Sequence, residues 1–251
     1  MSTDAILVCD HVTAGYGRIS VLDDLSLEVV RGRILGIIGP NGSGKTTLLN
    51  VLSGLIIPTG GSVIYQGRNI TRLSPDARCR MGIARTFQVP RPFHRMSVFE
   101  NVLTAAAFGN GGSRQEARDQ ARKALLFTNL WGKRDMPAGE LMLLDRKRLE
   151  IARSVSTNPN LLLLDEIAAG LTSAEVEEIM EIAARLKAEG YTIVWIEHII
   201  DTMMRATDTL VCMAEGRVLV SGTAREVMLS REVEQVYLGK REQEDAHAAG
   251  E

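Results

Sequence analysis

One octapeptide restricts the fold of this chain more than any other feature of its sequence. Residues 39–46 read Gly-Pro-Asn-Gly-Ser-Gly-Lys-Thr and match the pattern G-x-x-x-x-G-K-[ST]. The apolar run 33–39 predicts a buried strand, and the spacing of 45–52 predicts a helix that ends near Gly54. In such a strand–loop–helix unit, backbone N–H groups at the helix N-terminus point at a bound anion. The octapeptide therefore predicts an α/β fold with a phosphate-binding loop.

The chemistry of this loop indicates its ligand. Lys45 supplies a cation to the β- and γ-phosphates of a nucleotide, and Thr46 offers a hydroxyl to Mg²⁺. Tyr16, in the sequence Gly-Tyr-Gly, is a candidate for stacking on adenine, worth about 1–3 kcal/mol; a packed core residue is the alternative. ATP and Mg²⁺ follow as cofactors. The predicted nucleotide-binding residues are Tyr16, Gly39, Pro40, Asn41, Gly42, Ser43, Gly44, Lys45, Thr46 and Thr47.

A second half of the site follows the four leucines at 161–164. Asp165 and Glu166 come directly after this predicted strand, at the carboxyl end where α/β sheets bind ligands. Asp165 is predicted to hold Mg²⁺ directly or through water, and Glu166 to polarise the attacking water as general base. Taken without the phosphate-binding loop, two solvated acids at a strand end are the alternative.

Two more polar residues end predicted strands. His198 follows the run 191–196, and Gln88 closes the run 83–87. Because the carboxyl ends of parallel strands share one edge of a sheet, His198 is predicted to lie beside Asp165 and to contact the γ-phosphate. A structural or merely exposed histidine is the alternative.

The composition excludes several functional classes. The 251 residues are 45% hydrophobic and 24% charged with a formal net charge of −2, so no basic field recruits nucleic acid. Three scattered cysteines without metal-ligand spacing predict a reduced, cytosolic chain. No signal peptide is expected, and the apolar runs 34–38 and 161–164 are too short to cross a bilayer. Any role at a membrane is expected to depend on a partner.

Alternating strand and helix patterns predict a mostly parallel sheet covered by helices. The stretch 90–158 has helix patterns only, interrupted by the glycine-rich loop 109–113. We expect a single domain over 1–251, with a nucleotide-binding core at 1–88 and 159–238, an inserted helical subdomain at 89–158 and a flexible tail at 239–251. Four Ser/Thr-x-x-Glu sequences predict helix starts at Ser97, Ser113, Thr172 and Thr223.

These pieces in this order resemble the ATP-binding cassette (ABC) family of transport ATPases over nearly the whole chain. Tyr16, 39–47, Gln88, 161–166 and His198 stand where that family has its adenine-stacking aromatic, Walker A, Q-loop, Walker B and switch histidine. Four further segments are similar to the ATPase subunits of branched-chain amino-acid importers, above all to the longer of the two. These segments are 82–88, 148–153, 168–171 and 236–239.

The resemblance implies a P-loop NTPase core with an N-terminal antiparallel β subdomain and an inserted α-helical subdomain. It implies Glu166, His198 and Gln88 as catalytic residues, and Thr46, Gln88 and Asp165 as contacts of the metal. It also implies an ATP-hydrolysing dimer in which each ATP lies between one subunit's phosphate-binding loop and the other's signature motif. Two membrane-spanning permease subunits would bind the region after Gln88, on the cytoplasmic face of the inner membrane, with an indirect link to a solute-binding protein.

The signature motif departs from the family pattern Leu-Ser-x-Gly-Gln, because residues 141–145 read Leu-Met-Leu-Leu-Asp. Met142 lacks the serine hydroxyl that donates to a γ-phosphate, and Leu144 carries a side chain where glycine lets the backbone approach. Asp145 is expected to place a negative charge near the phosphates. Apolar helix packing with no phosphate nearby is the alternative for Leu141–Leu144.

Because a signature serves the nucleotide on the opposite subunit, these changes favour a heterodimer with a second ABC ATPase. The leading hypothesis is the ATPase subunit of an importer for branched-chain amino acids or similar small polar solutes. One alternative is a degenerate cassette that acts as a nucleotide-binding scaffold. Another is a soluble cassette ATPase unconnected with transport, which the lack of a second cassette and of a basic stripe argues against.

Overall fold

A computed structural model of the chain describes residues 4–109 and 112–236. Two β-sheets organise this part of the chain. The predicted tail 239–251, residues 110 and 111 of the glycine-rich loop, and most of the segment 236–239 lie outside the described residues.

The larger sheet has six strands in the order β10-β9-β3-β8-β7-β6. Its strands are β3 (Ile34–Ile38), β6 (Ile83–Arg85), β7 (Leu161–Asp165), β8 (Thr192–Ile196), β9 (Thr209–Ala214) and β10 (Arg217–Gly222). All neighbours pair in parallel except β9 and β10, which are antiparallel. Every residue of β3, β7 and β8 is buried, as expected for central parallel strands covered on both faces. The mostly parallel core is confirmed.

The smaller sheet is antiparallel and has the order β2-β1-β4-β5. Its strands are β1 (Ala5–Tyr16), β2 (Ile19–Val30), β4 (Gly60–Tyr65) and β5 (Arg68–Asn69). In β2 the burial alternates from Leu25 to Val29, so one face packs on the core and the other faces solvent. The N-terminal antiparallel unit is thereby confirmed, and β2 begins six residues earlier than the run 25–30 that its alternation predicts.

Eight helices cover the sheets in the described ranges. They are α1 (Lys45–Ser53), α2 (Pro75–Arg80), α3 (Val98–Gly109), α4 (Arg114–Phe127), α5 (Leu143–Ser156), α6 (Ser173–Ala188), α7 (Ile200–Ala206) and α8 (Ala224–Met228). A further helical stretch, additional to these eight, covers residues 231–236. Between 90 and 158 the described residues form α3, α4, α5 and two short 3₁₀ turns, with one isolated bridge between Ser97 and Pro137. No described helix is long and apolar enough to cross a membrane.

The four predicted helix starts are all present as reciprocal hydrogen bonds between a Ser or Thr and the Glu three residues later. The strand predicted at 83–87 is shorter, because β6 ends at Arg85. Thr86 then leaves the regular strand, and its Oγ1 accepts from the backbone N–H of Asp165 at 3.2 Å. The chain turns at this point and carries Gln88 toward the end of β7.

Arg78 is a fully buried arginine that stabilises the junction of α1 and α2. Its guanidinium donates to the backbone carbonyls of Leu73, Val51, Leu52, Ile70 and Thr71 at 2.6–3.2 Å. Two of these carbonyls lie in the last turn of α1, where helical acceptors have no partner inside the helix. Burial lowers the pKa of Arg78 to about 10, a value that keeps the side chain charged near neutral pH.

We expect Arg78→Met to lower the free energy of unfolding by about 3–5 kcal/mol, because several buried carbonyls lose their donor at once. Urea unfolding followed by circular dichroism measures the change. The matched control is Arg80→Met on the same helix, whose exposed ion pair with Asp76 is worth at most about 1 kcal/mol. Equal unfolding midpoints for the two variants would show that the Arg78 contacts contribute no more to stability than the exposed ion pair of Arg80.

Candidate active site

The phosphate-binding loop connects β3 to α1 and adopts a backbone that requires glycine. Gly39 has φ 152°, and a Cβ built there would lie 2.2 Å from the carbonyl oxygen of Met213. Gly44, the N-cap of α1, has φ 99° and would place a Cβ 2.8 Å from Leu22. Both positions therefore exclude larger residues, and the loop is held closely against β9 and β2.

The polar groups of the loop form a site suited to phosphate. The Lys45 ammonium lies over the loop and donates to the carbonyls of Gly39 and Pro40 at 2.8 and 3.0 Å. Ser43 is buried, and its hydroxyl has no hydrogen-bond partner in the described part of the chain. A buried hydroxyl without a partner is costly unless a ligand uses it. Together with the N-terminus of α1, these groups fit a bound nucleotide phosphate.

The remaining predicted nucleotide contacts differ in exposure. Thr47 is buried in the first turn of α1, whereas Thr46 beside it is exposed. Asn41 and Gly42 are exposed at the tip of the loop, and Pro40 is half-buried. Thr46 is exposed at the start of α1, so it is accessible for its predicted role toward Mg²⁺.

Asp165 and Glu166 lie at the carboxyl end of β7, on the edge of the sheet where the phosphate-binding loop leaves β3. Glu166 has φ 46°, which is an uncommon and strained backbone for a non-glycine residue. Its N–H donates to the carbonyl of Ile196 at 3.0 Å, so the strained turn is anchored to β8. Strain of this kind is concentrated at functional sites.

The three predicted catalytic residues come together around the Glu166 carboxylate. His198 Nε2 lies 2.5 Å from one carboxylate oxygen, and Gln88 Nε2 lies 2.5 Å from the other. Glu166 is 8% exposed, whereas His198 and Gln88 are exposed, so the carboxylate is buried beneath two side chains that reach solvent. A carboxylate held between an imidazole and an amide is oriented for general-base chemistry on a water molecule beside it.

Arg85 is a site residue that sequence reasoning missed. Its guanidinium forms a buried ion pair with Asp165 at 2.7 Å and donates to the Asn50 side chain at 2.6 Å. Asn50 in turn donates to the Tyr16 hydroxyl at 2.9 Å. A chain of hydrogen bonds therefore joins Tyr16, which is 52% exposed, to the predicted metal contact Asp165. The exposure of Tyr16 shows that it is not a packed core residue.

Two buried charges behind the cluster were also missed. Lys147 on α5 donates to the backbone carbonyls of Gln88 and Glu166 at 2.7 and 3.1 Å. Glu197 accepts from the backbone N–H of Ala168 at 2.7 Å, and burial raises its pKa. Neither residue follows a motif. The sequence gives one signal for Glu197, which directly follows the apolar strand β8, and none for Lys147, which lies off the apolar stripe of α5.

The structure places the residues of the signature segment differently from the expectation that three of them face phosphates. Asp145 is buried, and its carboxylate pairs with Lys133 and with Arg148, so it does not present an unpaired negative charge to phosphates. Leu144 packs against the larger hydrophobic core. Met142 is the N-cap of α5, makes no side-chain cap and is 77% exposed. The expectation of an unpaired charge at Asp145 is therefore wrong, Leu144 packs as the apolar alternative describes, and Met142 is left as the exposed departure from the family pattern.

The donor chemistry of the site suits Mg²⁺ bound mainly through a nucleotide. No group of three or more His, Cys, Asp or Glu residues that could hold a metal occurs within 4–109 and 112–236. A hydroxyl from Thr46, an amide from Gln88 and a carboxylate from Asp165 are hard oxygen donors. Mg²⁺ is commonly bound by one or two such groups together with phosphate oxygens.

Comparison with known proteins identifies the family. The family described as ABC transporter matches residues 22–169. The chain is 35% identical to the high-affinity branched-chain amino acid transport ATP-binding protein LivG of Salmonella typhimurium, over 94% of this chain and 98% of the relative. It is 33% identical to the probable LivG protein of Methanocaldococcus jannaschii, over 95% and 99% respectively.

Solved structures agree with this assignment. A nucleotide-free ATP-binding cassette from an ABC transporter is similar with a TM-score of 0.85 and 32% identity, covering 93% of this chain and 98% of the other. An ATP-binding cassette in its ADP conformation has the same TM-score at 33% identity, covering 94% and 100%. The chain therefore belongs to the ABC transporter family, as one of its ATPase cassettes.

Proposed function

We propose that this chain is the ATP-hydrolysing subunit of an importer for branched-chain amino acids or similar small polar solutes. The observation that carries the proposal is the cluster of His198, Gln88 and Glu166 at the sheet edge that holds the phosphate-binding loop. The relatives named as branched-chain amino acid transport proteins support the substrate class, because they match almost end to end.

Each polar group has a role in this proposal. Lys45, Ser43 and the N-terminus of α1 bind the phosphates of ATP, and Tyr16 stacks on the adenine. Thr46, Asp165 and Gln88 would hold Mg²⁺, which would supply charge neutralisation at the β- and γ-phosphates. Glu166 takes a proton from the attacking water. His198 orients the Glu166 carboxylate and contacts the γ-phosphate.

A groove beside the site is the surface that we assign to partner subunits. It has a volume of about 240 Å³ and is lined by the exposed apolar side chains Leu55 and Phe87, the second of which directly precedes Gln88, and by Ala105 of α3. We assign it to a segment of two membrane-spanning permease subunits, which places the chain peripherally on the cytoplasmic face of the inner membrane. A solute-binding protein acts indirectly through the permeases, and no nucleic acid takes part. The helical part 89–158 would then be a subdomain inserted between 1–88 and 159–238.

The test is reconstitution of the chain with its second ATPase, the two permeases and the solute-binding protein in lipid vesicles. We expect ATP-dependent uptake of radiolabelled leucine, isoleucine or valine, abolished by Glu166→Gln. Uptake of an unrelated solute class, with none of these three amino acids transported, would contradict the substrate assignment.

The N-terminus of α5 supports a heterodimer. In a homodimer, each γ-phosphate would face Met142 where the family has a serine hydroxyl, so both sites would lack a donor. In a heterodimer, the ATP bound to this chain faces the partner's signature, and only the partner's ATP faces Met142. A cassette that acts only as a nucleotide-binding scaffold is the second candidate, which the exposed, uncapped Met142 favours.

We expect Met142→Ser to raise ATP hydrolysis at the partner's nucleotide site by at least about tenfold, because loss of one oxyanion donor costs about 10²–10³ in rate. The serine also caps α5, which adds about 1 kcal/mol to the free energy of unfolding. The measurement uses the heterodimer with Glu166→Gln in this chain, so that only the partner's site turns over.

Leu143→Ser is the matched control, because it introduces the same hydroxyl one residue beyond the N-cap. It is expected to leave the rate unchanged. A Met142→Ser variant that is more stable but no faster would show that the signature segment of this chain does not reach the partner's nucleotide.

A further inference from the structure

Lys147 lies in the second turn of α5 and is 2% exposed. Its ammonium donates to the carbonyl of Gln88 at 2.7 Å and to the carbonyl of Glu166 at 3.1 Å. These two carbonyls belong to segments 78 residues apart in the chain, one after β6 and one after β7. Lys147 therefore ties together the backbones of the two residues whose side chains meet over the active site.

The groups around Lys147 act on the pKa of its ammonium in opposite directions. Burial lowers its pKa, and the carboxylates of Glu197, Glu166, Asp165 and Glu150 act in the opposite direction. Two of these carboxylates have partners of their own, since Asp165 pairs with Arg85 and Glu150 with Arg153. The ammonium is thus directed at the two carbonyls, because a buried donor without acceptors is costly.

The backbone of Glu166 shows what this contact achieves. Glu166 has φ 46°, and both of its backbone polar groups are engaged: the N–H donates to the Ile196 carbonyl, and the carbonyl accepts from Lys147 at 3.1 Å and from the N–H of Ala169 at 3.2 Å. With the turn fixed on both sides, its side chain lies between His198 and Gln88 at 2.5 Å from each. Without Lys147 the carbonyl would keep only the local contact with Ala169 and lose its link to α5, so the strained turn could relax and move the carboxylate.

We propose that Lys147 is a positioning residue, which holds the backbones of Glu166 and Gln88 so that the two side chains meet where water is activated. The inference rests on the proposed function of Glu166 as general base. The Lys147 ammonium is directed at the two carbonyls and acts through them. A shift of about 1 Å in a reacting group costs up to about 10² in rate, which sets the scale of the effect.

The test compares Lys147→Met and Lys147→Gln, which remove the charge, with Lys147→Arg, which keeps a cation able to donate to both carbonyls. Lys123→Met, on the exposed face of α4, is the matched control. Each full-length variant is assembled with the partner ATPase and permeases, and kcat, KM for ATP and thermal melting are measured. Hydrogen–deuterium exchange of a peptide covering 165–169 is recorded on the same samples without nucleotide.

We expect both neutral variants to lower kcat by about 10- to 100-fold with KM within about twofold of the parent. The 165–169 peptide should exchange faster, while Lys147→Arg recovers most of kcat and protection. Lys123→Met should match the parent throughout. An unchanged kcat overturns the proposal, as does a loss of kcat with unchanged exchange or without recovery by arginine. The glutamine variant retains polarity, so it decides the question if the methionine variant does not fold.

Glu166→Gln, measured in parallel, separates the general-base role of Glu166 from the positioning role of Lys147. If it hydrolyses ATP at the parent rate, the general-base assignment is wrong. Exchange at 165–169 then still decides whether Lys147 fixes this turn, because that readout does not depend on turnover.

Discussion

Glu166→Gln is expected to slow ATP hydrolysis by about 10²–10⁴ while ATP binding persists. The amide keeps the size of the side chain, and its oxygen or nitrogen can still bond His198 and Gln88, but it no longer accepts a proton from water. Since the lysine and the backbone groups of the phosphate-binding loop are untouched, the affinity for ATP should stay within about twofold of the parent. Single-turnover hydrolysis in the assembled complex, beside calorimetric titration with ATP, measures both quantities.

Glu181→Gln on the exposed face of α6 is the control for the loss of one acidic charge. It should match the parent in rate and affinity. If Glu166→Gln also hydrolyses ATP at the parent rate, Glu166 is not the general base, and the convergence of His198 and Gln88 on it serves only to hold the loop.

Lys45→Ala is expected to lower the affinity for ATP by about 10²-fold or more. A charge-assisted hydrogen bond to phosphate is worth roughly 1.5–3 kcal/mol, and Lys45 reaches two phosphates in the proposed complex. The structure adds a smaller effect on the fold, because Lys45 also donates to the carbonyls of Gly39 and Pro40. We therefore expect a lower melting temperature by a few degrees and no loss of folding.

Calorimetric titration with ATP and a thermal melt of the same sample test this prediction. Lys123→Ala on α4 serves as the control, because it removes an equally long cation from an exposed helix. An affinity for ATP that stays at the parent value in a folded Lys45→Ala protein would remove the loop from the nucleotide site.

The parts of the fold that could be predicted from the sequence have local causes. A buried strand, a glycine-rich turn and a helix are each encoded within a few residues. The sequence therefore predicts the positions of the loop before Lys45 and of the two acids at the end of β7. The four helix starts were equally local, because each capping box spans four residues.

The residues that were missed act across long sequence separations. Arg85 pairs with Asp165 across 80 residues, and Lys147 contacts the Gln88 carbonyl across 59. No pattern in either segment indicates the partner, because the contact exists only when neighbouring strands and α5 are assembled. Where charge at a buried position gives a local sign, it does not name the group that compensates it.

Asp145 shows where a local signal was available and was outweighed by the motif comparison. Asp145, Leu149 and Ala152 are spaced at i, i+4 and i+7, and all three are buried on one face of α5. Helical periodicity therefore predicts that Asp145 faces the protein interior and requires cationic partners, which Lys133 and Arg148 provide. Met142 precedes the first turn of α5, where helical periodicity does not predict whether a side chain is buried or exposed. Its exposure is therefore known only from the structure.

We propose that this chain carries a competent catalytic set, and that its ATP is hydrolysed when another cassette supplies the signature. Single-turnover hydrolysis of ATP by the purified chain, alone and mixed with a partner cassette whose own catalytic glutamate is replaced by glutamine, tests it most directly. We predict slow turnover and little nucleotide-driven dimerisation for the chain alone, and turnover faster by about 10²-fold in the mixture. Fast, cooperative hydrolysis by the chain alone, with no gain on adding the partner, would contradict the claim.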